Sequence, residues 1–587
     1  MKAQQFFNPK RLRRLAWLAY GAGIIIAWRL VDIQMLSHHQ YVQAAERNRT
    51  QVLHQTAPRG RILTAEGAVL AGNLPAFSLY YMPGGEKVDK EYLDGLSADI
   101  SKHLNLPKAD ILKKLTGALR SGKATPLAEN VSPQKIFAAA ELQVYHSGLY
   151  ILEETKRYYP FNNMAAHLLG YMGVMDNISW RSLGAGGGYR FNSRIGKSGI
   201  EKRYETDLKG RDGGLFLEVD HVGRVKQIMK DNKWRAGSDI YTTLNFDVQK
   251  AAQAALGASL TGRGAVVALN PKTGAVLALV SAPDFDPNIF TPYSDREDLQ
   301  ARKAIPEYNL AIQGMYPPAS PFKIITAIAA AQTGRLDLNE KLKCTGKIHM
   351  NNREFKCWRT HGENIDFMEA MAHSCNTYFY MLGTKTGASH IEQIERMFRF
   401  GRQTGIDLPY EKSGNIYGPS RRARSKTYWF GGDTLNLSIG QGELLITPIQ
   451  MAVFTAAIAN KGKIWRPYYI ERIADADGKN TFEAKPHLMS EAKLKDGVYE
   501  LIHSSLKDVV DHATGRAARI KGVDVYGKTG TGQNPHGDSH AWFMAFTSRE
   551  GQEPDFAIAV LVEYGKGGGA AAAPVAREVI KAYYGIK

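Results

Sequence analysis

Tyr316-Pro317-Pro318-Ala319-Ser320-Pro321-Phe322-Lys323-Ile324-Ile325-Thr326-Ala327-Ile328 is the stretch on which the reading of this chain turns. Two prolines close off whatever precedes it, and an apolar run begins right after Lys323, so a helix is expected to start near Ser320. A lysine three residues after a serine shares its helical face, and a hydroxyl at a helix N-terminus gains from the dipole when negative charge develops on it. Serine is a poor nucleophile at neutral pH and needs a neighbouring base. Lys323 can be that base if burial and a second nearby cation keep it largely neutral. The plainer alternative is that Ser320 only caps the helix.

Two more elements follow in order, Ser374-Cys375-Asn376 and Lys528-Thr529-Gly530-Thr531. Alone, each is weak: Ser-x-x-Lys recurs at Ser132/Lys135, Ser490/Lys493 and Ser504/Lys507, Ser-x-Asn at Ser413/Asn415, and Lys-Thr-Gly at Lys272 to Gly274 and Lys385 to Gly387. The Lys272 copy fits a hairpin turn and the Lys385 copy a helix end capped by glycine, so both have structural explanations. Taken together, the three elements resemble the active-site motifs of the penicillin-binding and serine β-lactamase superfamily. The resemblance implies Ser320 as nucleophile, Lys323 as base, Lys528 as the second cation, Ser374 as proton shuttle toward the leaving amine, and Asn376 as a clamp on the substrate peptide group. It further implies that Lys528, Thr529 and Thr531 hold the terminal carboxylate of a D-Ala-D-Ala stem peptide. Gly530 would let a strand edge approach the substrate backbone. The backbone amides of Ser320 and Thr531 would form an oxyanion hole, worth roughly 3 kcal/mol per donor.

The likeness extends well beyond these motifs. Arg59-Gly60-Arg61-Ile62, Arg157-Tyr158-Tyr159-Pro160, His167-Leu168-Leu169-Gly170-Tyr171 and Gly199-Ile200-Glu201 are similar to the pedestal domain of class B penicillin-binding proteins. Gly440-Gln441-Gly442 and Thr447-Pro448-Ile449-Gln450-Met451 are similar to their transpeptidase domain. Ala319 stands where the family usually has glycine, adding a methyl without abolishing the turn, and Ala65-Glu66-Gly67 replaces the usual Asp-Arg-Asn-Gly turn. The implied architecture is α+β: a β-lactamase/transpeptidase-like domain, with a central antiparallel sheet flanked by helices, following an α+β pedestal and one transmembrane helix. The expected limits are a basic tail at 1–14, an anchor at 15–36, a pedestal at 37–240 and the penicillin-binding domain at 241–587.

Patterning supports that order. Ala265 to Leu269 and Ala275 to Ser281, joined by Asn270-Pro271-Lys272-Thr273-Gly274, read as a hairpin, and Val248 to Leu256 as an Ala-rich helix before it. Helical periodicity is expected from Pro321 to Asn460, strands at Ala541 to Phe546 and Phe556 to Val562, and a closing helix from Pro574 to Tyr584. Earlier, Phe77 to Tyr81 reads as a strand, Asp110 to Leu119 as a helix, and Pro83-Gly84-Gly85 and Gly184 to Gly188 as turns or loops.

The only three cysteines, Cys344, Cys357 and Cys375, form with His361 the pattern C-x12-C-x3-H-x13-C, which has the ligand types of a structural zinc site. Some elongation-type members of the class resemble it, and a metal there would fix the second motif relative to the first. The alternative is a Cys344–Cys357 disulfide with Cys375 buried, which an oxidising compartment permits. No organic cofactor is implied.

The 587 residues are 44% hydrophobic and carry 57 Gly and 24 Pro, a globular composition with room for two to four folded units. The formal charge of +18 is scattered and unaccompanied by any nucleic-acid recognition pattern, so no nucleic-acid partner is expected. Lys2, Lys10, Arg11, Arg13 and Arg14 precede an apolar run from Leu15 to Trp28 that continues through Leu30, Val31, Ile33 and Leu36. This reads as an uncleaved anchor in the cytoplasmic membrane, basic end in the cytoplasm and catalytic part outside, the alternative being a removed signal peptide. The resemblance implies a D,D-transpeptidase of cell elongation that binds peptidoglycan stem peptides and β-lactams. Its implied partner is a membrane glycosyltransferase of the shape, elongation, division and sporulation family. A serine β-lactamase and a non-catalytic β-lactam sensor or scaffold are the competing readings.

Overall fold

The computed structural model describes residues 9–39, 41, 50–83, 88–122, 124–146, 148–184, 188–190, 193–219, 225–291 and 304–586. Lys2, Gly84 and Gly85 of the expected turn, and the middle of the Gly184 to Gly188 segment lie outside them. The chain forms two compact units. The first comprises Met1–Pro58, Pro75–Lys156 and Arg211–Arg235; the second comprises Arg59–Leu74, Arg157–Gly210 and Ala236–Lys587.

In the first unit, helix Pro9–Val31 runs on into a wider turn at Asp32–Leu36. The 25-residue stretch Leu12–Leu36 is, among the described residues, the one helix long and apolar enough to cross a membrane. It spans about 37 Å against a hydrocarbon core of about 30 Å. Trp17, Ile24, Ile25 and Met35 on it are exposed, and Arg29 pairs with Asp32 as their spacing suggests. Farther on, Thr50–Gln55, Gly213–Val219 and Val225–Asn232 make a three-stranded antiparallel sheet. Helices Lys90–Leu104, Lys108–Ser121 and Pro133–Tyr145 bury Leu96, Ile100, Leu115 and Leu142 in a common core. Asp89 caps the first by accepting from the Tyr92 amide at 2.7 Å, and Asn105 and Gly122, at φ 56° and 64°, end the first two.

The second unit is built on a five-stranded sheet in the order β2-β1-β5-β4-β3. Its strands are β1 (Gly264–Leu269), β2 (Val276–Ala282), β3 (Val523–Gly532), β4 (His540–Arg549) and β5 (Phe556–Val562). All neighbours are antiparallel, with Gly264 opposite Ala282 and Val562, and Lys528 opposite Met544. Its main helices are α1 (Phe246–Gly257), α2 (Lys323–Gln332), α3 (Asn376–Thr386), α4 (Pro448–Ala459) and α5 (Gly568–Tyr584). Period-two alternation sends Val266, Ala268, Phe543 and Val560 into one core with α1 and α5, and Ala265, Val267, Trp542 and Leu561 into another with α4. Because the central strands are covered on both faces, they read in the sequence as unbroken apolar runs. The expected hairpin is present, closed by the Gly274 amide donating to the Asn270 carbonyl at 2.8 Å with Gly274 at φ 82°.

The helical middle departs from expectation. Between α2 and α3 lie four short strands: Leu342–Cys344 pairs with Gly362–Ile365, and Lys347–Met350 with Arg353–Lys356. Gly346, Asn351 and Gly362 take positive φ at the turns, which a helix cannot accommodate. Elsewhere in this unit Glu201 is wholly buried and accepts from Arg59 Nε and Arg157 Nε, each at 2.6 Å. Arg59 also reaches Glu205 at 2.7 Å. Burial alone would raise the Glu201 pKa, but Arg157 and Arg59 hold it below the usual carboxylate value.

Candidate active site

Ser320 does not cap α2. Ser320–Phe322 form a 3-10 turn whose N-cap position is Ala319, and the α-helix proper starts at Lys323. Ala319 sits at φ 53°, ψ −145°, a conformation natural to glycine. The turn is held from outside: the Ala319 amide donates to the Gly440 carbonyl at 2.9 Å. Gly440 itself, at φ 72°, has no room for a side chain, since a Cβ would lie 2.4 Å from Ala319 O and 2.5 Å from Phe322 Cβ.

The first two motifs meet directly. The Ser374 hydroxyl donates to Ser320 Oγ at 2.9 Å. Lys323 Nζ donates to Ser374 Oγ at 3.1 Å, to the Ser374 carbonyl at 2.9 Å and to Asn376 Oδ1 at 2.7 Å. Ser374 adopts φ 54° in the turn before α3, which aims both its hydroxyl and its carbonyl at the lysine. Lys323 is fully buried, and burial brings its pKa down to about 8, with the Cys375 and Cys357 thiols pulling the other way.

The third motif lies on β3, the edge strand of the sheet, and among the described residues no strand lies on its outer hydrogen-bonding side. Lys528 is fully buried; desolvation first and the Lys323 charge second push its pKa well below the ordinary lysine value. Thr529 is buried and Thr531 exposed. A Cβ on Gly530 would come within 2.6 Å of Pro321 Cδ, so the missing side chain lets β3 pack against the Ser320 turn.

Two ties emerge only from the structure. Gln441 Nε2 donates to the Thr531 carbonyl at 3.1 Å, and its Oε1 accepts from the Gln533 amide at 3.4 Å, joining the segment that holds Ala319 to β3. The Thr529 hydroxyl donates to Thr514 Oγ1 at 2.9 Å, and Thr514 donates to the Ala372 carbonyl at 3.2 Å, just before the second motif. The sequence offered Gln441 inside a family-like segment but no role for it, and it gave no signal for Thr514. Among the other Ser-x-x-Lys copies, Lys507 is paired with Asp511 and Asp524 at 2.7 and 3.3 Å.

Cys344, Cys357, His361 and Cys375 converge, their ligand atoms all within 4.8 Å of one another. His361 Nδ1 lies 3.4 Å from Cys344 Sγ and 3.5 Å from Cys357 Sγ, while its Nε2 is 3.2 Å from the His373 carbonyl. Such a bond at Nε2 leaves Nδ1 free to ligate, and its two separations from sulfur suit tetrahedral bonds of about 2.0 to 2.3 Å. A hydrogen bond from Cys375, aided by the Thr377, Arg359 and Asn376 amides, holds the Cys357 thiol low, toward thiolate. The three cysteines are free of disulfides, so the Cys344–Cys357 bridge is not formed. The cluster therefore fits a thiolate-seeking metal ion.

Comparison with known proteins agrees with this geometry. The chain belongs to the penicillin-binding proteins of the transpeptidase class: residues 264–581 match the penicillin binding protein transpeptidase domain, and residues 54–242 the penicillin-binding protein dimerisation domain. It is 31% identical to peptidoglycan D,D-transpeptidase MrdA of Acinetobacter baumannii, over 94% of this chain and 84% of that protein. The solved peptidoglycan synthase complex that coordinates polymerization and crosslinking contains a chain 27% identical to it, with a TM-score of 0.72 and 99% of each chain covered. PBP2 from Helicobacter pylori, solved in complex with MreC, shares the fold with a TM-score of 0.76 at 24% identity, covering 91% of this chain and 99% of that one.

Proposed function

We infer that this chain is a serine D,D-transpeptidase that cross-links peptidoglycan stem peptides during cell elongation and is inhibited by β-lactams. The observation that carries the reading is the continuous path from Ser320 Oγ through Ser374 Oγ to Lys323 Nζ, 2.9 and 3.1 Å per step, beside an open strand edge bearing Lys528-Thr529-Gly530.

The stem peptide lies along the outer edge of β3, its terminal carboxylate toward Lys528, Thr529 and Thr531 and a peptide group toward Asn376. That carboxylate restores to Lys528 the positive charge that burial discourages, and the recharged Lys528 then disfavours a proton on Lys323. Lys323 takes the Ser320 proton, relayed by Ser374, as Oγ bonds to the carbonyl carbon of the penultimate D-Ala. The Ser320 and Thr531 amides stabilise the oxyanion. Ser374 returns the proton to the departing nitrogen, the C–N bond breaks and D-Ala leaves. An amine of a neighbouring strand then attacks the acyl-enzyme, its proton passing back along the same path, and Ser320 is released.

Cys344, Cys357, His361 and Cys375 would hold a structural zinc ion. It would supply a fixed anchor for Cys375, which lies between Ser374 and Asn376. The domain limits are 37–240 for the pedestal and 241–587 for the catalytic domain. Residues 1–14 lie in the cytoplasm and 15–36 in the membrane, with the rest outside. A membrane glycosyltransferase is the working partner, a reading supported by the likeness to a chain of the polymerizing and crosslinking complex.

Labelled penicillin should modify the purified chain at Ser320, and Ser320→Ala should abolish labelling; persistent labelling at another serine defeats the assignment. With glycosyltransferase and substrate supplied, cross-linked dimeric muropeptides should form. Elemental analysis should give about one zinc per chain, and Cys357→Ser should lose it together with most of the labelling rate.

A further inference from the structure

Beside the second motif the chain holds two aromatic rings out in water. Helix Pro419–Arg424 leads through Ser425, Lys426 and Thr427 to Tyr428-Trp429-Phe430, and helix Gly431–Ser438 follows. Trp429 turns inward, its ring 4.9 Å from that of Tyr417 and its Nε1 donating to Thr434 Oγ1 at 2.8 Å. Its two neighbours therefore face out, and Tyr428 and Phe430 are 82% and 67% exposed. The segment is firmly seated. The Phe430 amide donates to Asp433 Oδ2 at 2.9 Å, and a Cβ at Gly431 or Gly432 would meet Met350 Sδ at 2.6 Å or the Phe355 ring at 2.9 Å.

Those two contacts join the rings to the catalytic cleft. Met350 and Phe355 belong to the hairpin Lys347–Met350/Arg353–Lys356. The Lys356 carbonyl accepts from Asn376 Nδ2 at 3.4 Å, and Trp358, 55% exposed, donates through Nε1 to the His373 carbonyl at 3.1 Å. A ridge thus runs from exposed Phe430 past half-buried Met350 and Phe355 to exposed Trp358, which lies against His373 just before the second motif. Cations flank it: Arg424 and Lys426, just before Tyr428 in the chain, are exposed, Lys356 is exposed and 3.9 Å from Glu354, and the Arg359 guanidinium lies 4.7 Å from the Trp358 ring centre.

We propose that this ridge binds the glycan strand whose stem peptide reacts at Ser320, with sugar faces against Tyr428, Phe430 and Trp358 and stem carboxylates near Arg424 and Lys426. The proposal deepens the transpeptidase reading and rests on it. A stem peptide bound in the cleft is tethered to a polymer, which must leave across a neighbouring surface, and this one offers flat apolar faces interleaved with positive charge. Rings separated by charged and polar residues suit a chain of sugars bearing acidic peptides.

The test compares the full-length detergent-solubilised chain with its Tyr428→Ser/Phe430→Ser variant. Substrates are uncross-linked glycan strands bearing D-Ala-D-Ala stems and, separately, a short soluble D-Ala-D-Ala peptide. The variant should keep its penicillin-labelling rate and short-peptide turnover within about twofold. It should lose roughly tenfold in strand affinity and in cross-linking rate, a change of about 1.4 kcal/mol. Arg424→Gln should weaken strand binding at low salt more than at high salt. Equal strand binding and cross-linking by variant and parent overturns the ridge, as does an effect confined to the binding of a protein partner. If the parent is neither labelled nor able to cross-link, the transpeptidase reading itself falls and takes the ridge with it.

Discussion

The side-chain amide of Gln441 donates to the backbone carbonyl of Thr531 at 3.1 Å, while the carbonyl of its neighbour Gly440 accepts from the amide of Ala319 at 2.9 Å. One dipeptide thus sets the distance between the nucleophile turn and β3, the two sources of the proposed oxyanion donors. Gln441→Ala and Gln441→Glu both remove the donor to Thr531. Each should slow penicillin acylation about 10- to 100-fold, the scale of an ångström-sized misplacement. The thermal midpoint should barely move, and equal losses of stability and acylation would mean that Gln441 is only structural.

Lys323 accepts a proton only when neutral, and its pKa lies near 8. The second-order rate of penicillin acylation should therefore climb tenfold per pH unit well below 8 and level off above it. The rise comes from burial, so it should persist at high salt. A rate flat from pH 6 to 9 would exclude Lys323 as the base.

Ala319 is held at φ 53°, ψ −145°, a region that costs a residue with a Cβ roughly 1 to 3 kcal/mol. Ala319→Gly relieves that strain and gives back part of the gain through a freer unfolded chain. The net expectation is a stabilisation of about 1 kcal/mol by denaturant unfolding, with labelling retained. Destabilisation would show that the methyl packs favourably.

Glu201, wholly buried between Arg59 and Arg157, anchors segments far apart in sequence. Glu201→Gln keeps the shape but leaves two buried guanidinium groups short of countercharge. It should cost about 3 to 5 kcal/mol of stability, readable as a fall in the unfolding midpoint. Because the carboxylate's pKa is lowered in the fold, its stabilisation is full above the unfolded value and fades as pH falls through the folded one. The gap between parent and variant should therefore narrow in acid.

What the sequence disclosed follows from what each feature needs locally. The central strands were legible because burial on both faces demands unbroken apolar runs, and the Asn270 to Gly274 hairpin because its turn needs a glycine at φ 82°. The three motifs were legible as residue types, and the convergence of Cys344, Cys357, His361 and Cys375 was legible from their chemistry. The four strands between Leu342 and Ile365 were not, since elements of only three or four residues are too short to establish a period. Nor were the Gln441 and Thr514 ties, which join side chains to partners 90 and 15 residues away and leave no trace in local pattern. Ser320 was expected at a helix N-terminus; the prolines and the Gly440 contact tighten that end into a 3-10 turn instead.

Gly530 has the nucleophile's neighbour, Pro321, pressed against the place where a side chain would be. Under the proposed mechanism, any side chain added there to spoil the fit of an antibiotic would also press on the turn that carries Ser320. Altered drug fit at that position therefore carries the cost of a displaced nucleophile turn.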